Sequence, residues 1–351
     1  MRLTLFGESH SEVIGAVLEG IKPGIDVDSD FIEKQLVRRS PASFSSLATK
    51  RREEDRLKIV SGVFGGKTTG APICFLIENT DVDSSVYESM HGIMRPSHAD
   101  YTAYVKYDGF ADYRGGGRFS GRLTAPVTAA GALALGMLRE KGIDIVTHIK
   151  SCGALSDRDF SDIKADKALL EKKNIAVLDD NFGEKLSETI QNIAKTGDSI
   201  GGILETVITG LPAGVGEPYF DTLEGIISHA VFSVPAVKGI EFGDGFMFSG
   251  KTGSQSNDAL RYDENKNIYT ETNHSGGING GISNSMPVIF RTVIKPTPSV
   301  ALKQKTIDVL RRENTEIEIK GRHDPAVFLR APVIIDGVTA LALCDLLEGR
   351  K

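Results

Sequence analysis

Residues 125–142, APVTAAGALALGMLREKG, carry the strongest helix signal in the sequence, and the stretch that feeds them is DYRGGGRFSGRLTAP at 112–126. Pro126 falls in the first turn, alanine and leucine favour the helix interior, and Gly142 stands where a C-cap belongs. Arg114, Arg118 and Arg122 surround the glycine run just ahead of this helix. Glycine lets backbone N–H groups approach a ligand, and an arginine fork grips phosphate with paired hydrogen bonds. The first turn of a helix adds a positive dipole end. Together these features predict an anion site at a loop-to-helix junction. The competing reading is a Gly-rich loop whose arginines serve in surface salt bridges.

Such a site has to be local. The chain carries 41 Lys and Arg against 47 Asp and Glu, a formal net charge of −6, which argues against non-specific nucleic-acid or anionic-membrane binding. Its 351 residues, 40% of them hydrophobic, suffice for a proper core, and 38 glycines in scattered clusters predict many tight turns. Cys74, Cys152 and Cys344 are far apart and form no CxxC, which points away from a disulfide framework or zinc site and toward a reducing cytoplasm. MRLTLFGESH has no cleavable apolar core, and APVTAAGALALGML is too short and too punctuated to span a membrane. The expectation is a soluble cytoplasmic protein with no nucleic-acid or membrane partner.

Alternation predicts strands at 3–6 and 15–21, and a strand-rich stretch follows from Lys58. Helices are expected over 28–39, capped by Asp28 or Ser29, and over 125–142, 185–197, 222–232 and 302–314. The charged segment near 156–185 reads as a peripheral excursion. GGKTTGAPICF (65–75) and GGISNSMPVIF (280–290) share a Gly-Gly pair, a later Pro and an apolar strand ending in Phe, which marks two candidate half-folds. The class expected is α+β, one continuous domain over 1–351 with an internal echo of pseudo-symmetry.

His10 in GESH, His98 in RPSHADY and His323 in GRHDP lie in short Gly, Pro and Asp loops that suit catalytic placement at strand ends. His148 and His229 have apolar neighbours and read as structural. No HExxH or His-x-His spacing supports a metal site, and neither a GxSxG elbow nor a Walker A motif is present. A second basic cluster spans Arg38, Arg39, Lys50, Arg51 and Arg52, with Arg51 and Arg52 expected to pair with Glu53, Glu54 and Asp55. NHSGGINGGISN and KPTPS add backbone donors, a lysine and hydroxyls, a set able to hold a phosphorylated cofactor or substrate.

FGESH, RPSHADYTAYVKY, DYRGGGRFSGRLTA, GDSIGG, GEPYFD, AVKGIEFGDGF, NHSGGINGGIS, KPTPS and GRHDPAV occur in the same order, from residue 6 to 327, as blocks of the chorismate synthase family, which the sequence resembles. The resemblance implies helices sandwiched between two antiparallel sheets, a homotetramer, and a 1,4-anti elimination. The substrate so implied is 5-enolpyruvylshikimate 3-phosphate, converted to chorismate and phosphate with reduced FMN in the shikimate pathway. It implies His10, His98 and Asp324 as catalytic: His10 at the departing phosphate, His98 beside the flavin ring, Asp324 near the flavin N5. It implies Arg118, Ser120, Ala236, Gly280, Lys295, Thr297, Ser299 and Arg322 as FMN contacts, and Arg39 and Arg122 as the substrate grip. The chain departs from the family with Ser11 and Ser97 at usual glycines and Pro235 at a common Asn. It also has Arg38-Arg39-Ser40-Pro41-Ala42 in place of Arg-Arg-Arg-Pro-Gly, without the next loop arginine. Two other functions share such a site: a flavin reductase, for which no strong NADPH fingerprint is present, and a non-catalytic binder of phosphorylated metabolites.

Overall fold

The computed structural model describes residues 1–48, 55–80, 85–319 and 324–349, so Arg51, Arg52, Arg322 and His323 lie outside the described residues. The chain begins with an antiparallel pair, β1 (Arg2–Phe6) and β2 (Val13–Glu19), in the register Arg2 to Glu19 and Phe6 to Gly15. Helix α1 (Ser29–Arg39) starts where expected, with the Asp28 carboxylate accepting from the Phe31 N–H at 2.9 Å. Strand β3 (Leu57–Ser61), the small hairpin β4 (Val63–Phe64) with β5 (Lys67–Thr68), and β6 (Ile73–Glu78) follow. Together they give a four-stranded antiparallel sheet in the order β1-β2-β6-β3.

Two short helices, α2 (Ser85–Ser89) and α3 (Asp100–Lys106), lead into the glycine–arginine loop and α4 (Thr124–Arg139). Then come β7 (Asp144–Cys152), β8 (Leu155–Ser156), α5 (Ile163–Leu170), α6 (Asp180–Lys195), β9 (Gly202–Thr209), α7 (Leu223–Val231) and β10 (Val237–Phe242). A peripheral turn α8 (Gly253–Ser256) and the hairpin β11 (Leu260–Tyr262) with β12 (Ile268–Thr270) precede β13 (Ile278–Asn279), β14 (Ile282–Ser283) and β15 (Val288–Ile294). The second sheet is antiparallel throughout, in the order β10-β15-β9-β7-β8. Strands β16 (Gln304–Asp308) and β17 (Glu313–Ile317) and the long helix α9 (Ala331–Gly349) complete the chain.

Helix α4 packs on β2 and β6 of the first sheet, α9 on β7 and β9 of the second, and the two helices pack on each other. The result is the expected sandwich of helices between two sheets. The helices approach closely at Gly131 and Gly337: a Cβ added to Gly131 would lie 2.4 Å from the Gly337 Cα, so any side chain there forces the layers apart. The 156–185 excursion covers the outer face of the second sheet, burying Leu170, Ala176 and Leu178 against Val146 and Val207.

The two segments of the sequence echo take the same local form. Gly65 and Gly66 turn the β4–β5 hairpin, Gly280 and Gly281 turn β13–β14, and all four have positive φ, as a two-residue turn of this kind requires. Each hairpin then leads into an inner strand of its sheet, β6 in one and β15 in the other.

One expected helix is a correction. Residues 302–314 fold as β16, a turn and the start of β17, with Gln304 paired to Ile317 and Asp308 to Glu313. The Asp308 carboxylate accepts from the Leu310 and Arg311 N–H groups at 2.9 and 3.0 Å, and Arg312 takes φ 58, so a local side-chain turn wins over the helix. Helix α9 had no amphipathic signature to reveal it, because it is buried and apolar nearly all round.

Candidate active site

The loop after β1 folds against the glycine–arginine loop. Ser9 N–H donates to the Gly117 carbonyl at 3.1 Å, and Ser9 Oγ donates to the Arg114 carbonyl at 3.2 Å. Ser9 Oγ also meets His10 Nδ1 at 2.9 Å, and Tyr87 lies edge-on to the imidazole with centroids 5.3 Å apart. His10 is 9% exposed. Its ring lies directly over Gly115, where an added Cβ would fall 2.5 Å from His10 Cε1. The glycine is therefore needed for the imidazole to lie on the backbone.

His98 reaches the same loop from the other side. Its Nδ1 bonds Asp100 Oδ1 at 2.5 Å, and Asp100 also accepts from Arg95 Nε and Nη2 at 2.7 Å each and from the Arg95 N–H at 3.0 Å. Arg95 Nη2 donates onward to the Gly115 carbonyl at 2.5 Å. Burial disfavours the charge on Asp100, but the His98 and Arg95 hydrogen bonds outweigh it and hold the carboxyl well below the usual carboxylate range. With Nδ1 engaged, His98 Nε2 has no hydrogen-bond partner among the described residues. A cavity of about 500 Å³ is bounded by His98, Asp100, Gly115, Gly116 and Arg118.

The three arginines of the opening stretch take three different roles. Arg114 spends its guanidinium on Asp112, at 2.9 and 2.8 Å, which is the salt-bridge reading. Arg118 is exposed, has no ion-pair or hydrogen-bond partner among the described residues, and borders the cavity. Arg122 is buried with Arg39: Arg39 Nη2 lies 2.5 Å from Asp55 Oδ2, and Arg122 Nη1 pairs with Asp55 Oδ1. Burial pushes the Asp55 carboxyl up, but the two guanidinium charges prevail and keep it below its ordinary value. Asp55 thus pairs with the two arginines implied as the substrate grip and cancels one of their two positive charges.

The residues implied as cofactor contacts divide into groups. Ser120 and Arg118 border a second, apolar cavity of about 360 Å³, shared with His229 and Pro235, the neighbour of Ala236. Ala236 takes φ 72, and its carbonyl accepts from the Lys295 N–H at 2.9 Å. Lys295 Nζ donates to the Ser97 carbonyl at 2.5 Å, tying this strand end to the His98 loop. Burial, and then the charge of Lys238, push Lys295 below its ordinary value. The Thr297 carbonyl accepts from Ser199 Oγ at 2.7 Å, and the Ile200 N–H donates to the Pro325 carbonyl at 2.8 Å, so Asp324 and Thr297 share one support in the GDSIGG turn. Ser299 is buried two residues further on. Asp324 lies 2.8 Å from Arg330 Nη2 but accepts no hydrogen bond among the described residues, and Thr297 Oγ1 is likewise buried without a partner.

Gly280 stands apart. Its hairpin packs at the start of β15, while Ala236 and Lys295 sit at the far end of that strand. Seven residues of strand separate them, roughly 23 Å at about 3.3 Å per residue. Within one chain, therefore, the structure brings together His10, His98, Arg118 and Ser120 around the glycine loop. It brings Ala236, Lys295, Thr297 and Asp324 to the adjoining strand ends, and it leaves Gly280 outside. Sequence reasoning missed Arg95 and Asp100 as supports of His98, and Arg330 beside Asp324. It also did not anticipate that Asp55 pairs with Arg39 and Arg122, while the expected pairing of Arg51 and Arg52 lies outside the described residues.

The comparisons agree over the full length. The family model for chorismate synthase matches residues 1–347. A chorismate synthase of Pyrococcus abyssi is 43% identical over 351 residues, covering 100% of this chain and 97% of its own. That of Korarchaeum cryptofilum is 42% identical over 345 residues, covering 98% and 95%. A crystal structure of chorismate synthase matches the fold with a TM-score of 0.78 at 27% identity, covering 99% of this chain and 91% of the other. Agreement of this extent in both sequence and fold supports neither a reductase nor a non-catalytic binder. The chain belongs to the chorismate synthase family, enzymes that act as carbon–oxygen lyases on a phosphate.

Proposed function

We propose that the chain, as one catalytic domain over 1–351, eliminates phosphate from 5-enolpyruvylshikimate 3-phosphate in a 1,4-anti sense to give chorismate, with reduced FMN bound. The observation that carries this reading is the convergence of two histidines on one residue: the His10 ring lies over Gly115, and Arg95 links the Gly115 carbonyl to the Asp100–His98 pair.

The residues present suit a phosphorylated flavin, whose phosphate needs a cation and a hydroxyl and whose ring can lend a proton to a carboxylate. Arg118 has no partner among the described residues, and the buried Asp324 carboxylate and Thr297 hydroxyl lack hydrogen bonds. The apolar cavity beside Ser120 could take a ring. Ser120, Arg118, Ala236, Lys295, Thr297, Ser299 and Arg322 would hold the cofactor. When bound, reduced FMN supplies electron density that no side chain offers for loss of a hydrogen from an unactivated carbon. His10 holds a proton for the departing phosphate oxygen. His98, fixed through Nδ1 by Asp100, offers Nε2 as the atom that takes or gives a proton. Asp324 receives a proton at its carboxylate. Arg39 and Arg122 place the anionic groups of the substrate, with Asp55 holding both guanidiniums in position.

The remaining parts of the reading are assembly and compartment. Gly280 lies too far from Lys295 to meet the same cofactor in one chain, so its contact requires a neighbouring copy, as in a homotetramer. Tyr219, Phe220 and Phe246, exposed by 86%, 98% and 82% near that hairpin, supply an apolar surface for such contact. A cytoplasmic location suits the unpaired cysteines. The test is an anaerobic assay with chemically reduced FMN, following chorismate absorbance and phosphate release together. Equal amounts of both, with the flavin unchanged at the end, support the reading. FMN binding without either product overturns it, and NADPH oxidation dependent on FMN would point to a reductase instead.

A further inference from the structure

Asn79, the first residue after β6, belongs to none of the family blocks quoted above and borders neither cavity, yet it connects the two halves of the substrate site. Its Nδ2 donates to the Glu8 carbonyl at 3.1 Å and to the Ser11 carbonyl at 2.7 Å, the two carbonyls that flank Ser9 and His10. Its Oδ1 accepts from Arg122 Nε at 2.9 Å, and its backbone N–H donates to the Glu12 carbonyl at 2.9 Å. The partners dictate which way the amide points, because two carbonyls require the NH₂ and a guanidinium requires the oxygen. Arg122 in turn pairs with Asp55, which holds Arg39.

We propose that Asn79 is a positioning residue that locks the His10 loop to Arg122, so that the proton donor and the anion grip hold one fixed spacing. The inference rests on the substrate reading above. Only an amide can fill the position. A carboxylate would still accept from Arg122 but would set negative oxygen against the Glu8 and Ser11 carbonyls, and an alanine would lose both connections. Asn79 itself lines neither cavity, so any effect on the reaction has to pass through the 8–11 loop that carries His10 or through Arg122.

The test compares Asn79→Asp and Asn79→Ala with the parent in the full-length chain. Three readouts apply: substrate affinity by calorimetry with oxidised FMN present, kcat and KM with reduced FMN, and the imidazole resonances of His10 after histidine-selective 15N labelling. The alanine variant is expected to weaken substrate binding roughly tenfold or more, as loss of a hydrogen bond to a charged group does, and to lower kcat and displace the His10 resonances. The aspartate variant is expected to keep most of the affinity, since Arg122 retains its acceptor, while kcat stays low and the His10 resonances stay displaced. That split between affinity and turnover is the signature of positioning. Affinity and His10 resonances equal to the parent in both variants overturn the proposal. So does an equal loss of affinity and kcat in both that merely tracks lowered thermal stability. A parent protein that neither binds nor converts the substrate overturns the substrate reading itself, and the role of Asn79 with it. If the alanine variant fails to fold, the aspartate variant alone carries the decision.

Discussion

His98 and His148 are both hydrogen-bonded to carboxylates, and the comparison separates the imidazole proposed to act in the reaction from one that holds the fold. His98 uses Nδ1 on Asp100, whose charge is already balanced by Arg95, and leaves Nε2 toward a cavity; its side chain is 18% exposed. His148 has both ring nitrogens engaged, Nδ1 with Asp157 at 3.2 Å and Nε2 with Glu205 at 3.3 Å, and is fully buried in the second sheet. Asp157 is further fixed by the Leu178 and Asp179 N–H groups at 2.6 and 2.9 Å, so the cluster also fastens the 156–185 excursion to the sheet. Burial pushes the His148 imidazole down, but its two carboxylates more than offset this and raise it above its ordinary value. A His–carboxylate pair is therefore no signature of catalysis by itself. Access to the second nitrogen decides.

The largest expected effects test that contrast directly. His98→Ala should lower kcat by roughly 10²-fold or more, in the range of a lost acid–base group, with the urea-unfolding midpoint near the parent's. His148→Ala should do the reverse. It leaves Asp157 and Glu205 facing an empty site, a loss of about 3–5 kcal/mol in the range for breaking a buried ion pair, while the folded fraction keeps parental turnover. Turnover and urea unfolding on both variants decide it. A His148→Ala enzyme that is stable but slow would break the distinction.

The same division governs what could be read from the sequence. Helix α4, the glycine–arginine loop and the paired Gly-Gly hairpins were all legible, because each is a local signal: propensity, composition, or turn chemistry with positive φ. The Asp55 clamp was not, because its partners lie 16 and 67 residues away and a contact at such separation leaves no periodic trace. Arg95 and Asp100 stood inside a recognised block, but their hydrogen bonds to His98 and Gly115 exist only once α3 and the glycine loop are folded together. Residues 302–314 misled for the opposite reason: their helical spacing was overruled by the local turn at Asp308. Ser97, a departure from the family's usual glycine, sits at φ 57, in the left-handed region that glycine favours.

A second prediction uses pH to separate the core histidine from its neighbour in the helical layer. Asp336, on α9, is buried, and burial raises its carboxyl to about 6 even though Thr147 Oγ1 donates to it at 2.6 Å. A folded value raised above 3.8 means that the protonated acid is the form the fold favours. Its stability is full below the ordinary value and falls as pH rises toward about 6, a difference of about 3 kcal/mol. His148 is also raised, so its contribution is full below its ordinary 6.5 and falls only above that. Asp336→Asn should therefore flatten the lower part of the stability–pH curve and stabilise the protein at pH 7. His148→Gln should flatten the upper part and destabilise it. Urea unfolding from pH 4 to 9 reads both, and a single window affected by both variants would show that the two sites do not titrate independently.

The smallest effect belongs to the His98 loop itself. Ser97 holds a left-handed backbone conformation that costs an ordinary L-residue about 1–2 kcal/mol, and its carbonyl receives Lys295 Nζ at 2.5 Å. Glycine relieves the strain but gives back about 0.5–1 kcal/mol through the freer unfolded chain. Ser97→Gly should accordingly stabilise the protein by no more than about 1 kcal/mol, because the Lys295 bond is made to the backbone and survives the change. If rigidity of this turn is what points His98 Nε2 into the cavity, the variant gains stability and loses turnover together. If the Asp100–Arg95–Gly115 chain of hydrogen bonds suffices, kcat stays at the parental value while the midpoint rises. The second outcome is expected, since three hydrogen bonds from Arg95 fix Asp100, and Asp100 fixes the ring, without any part being played by the Ser97 side chain.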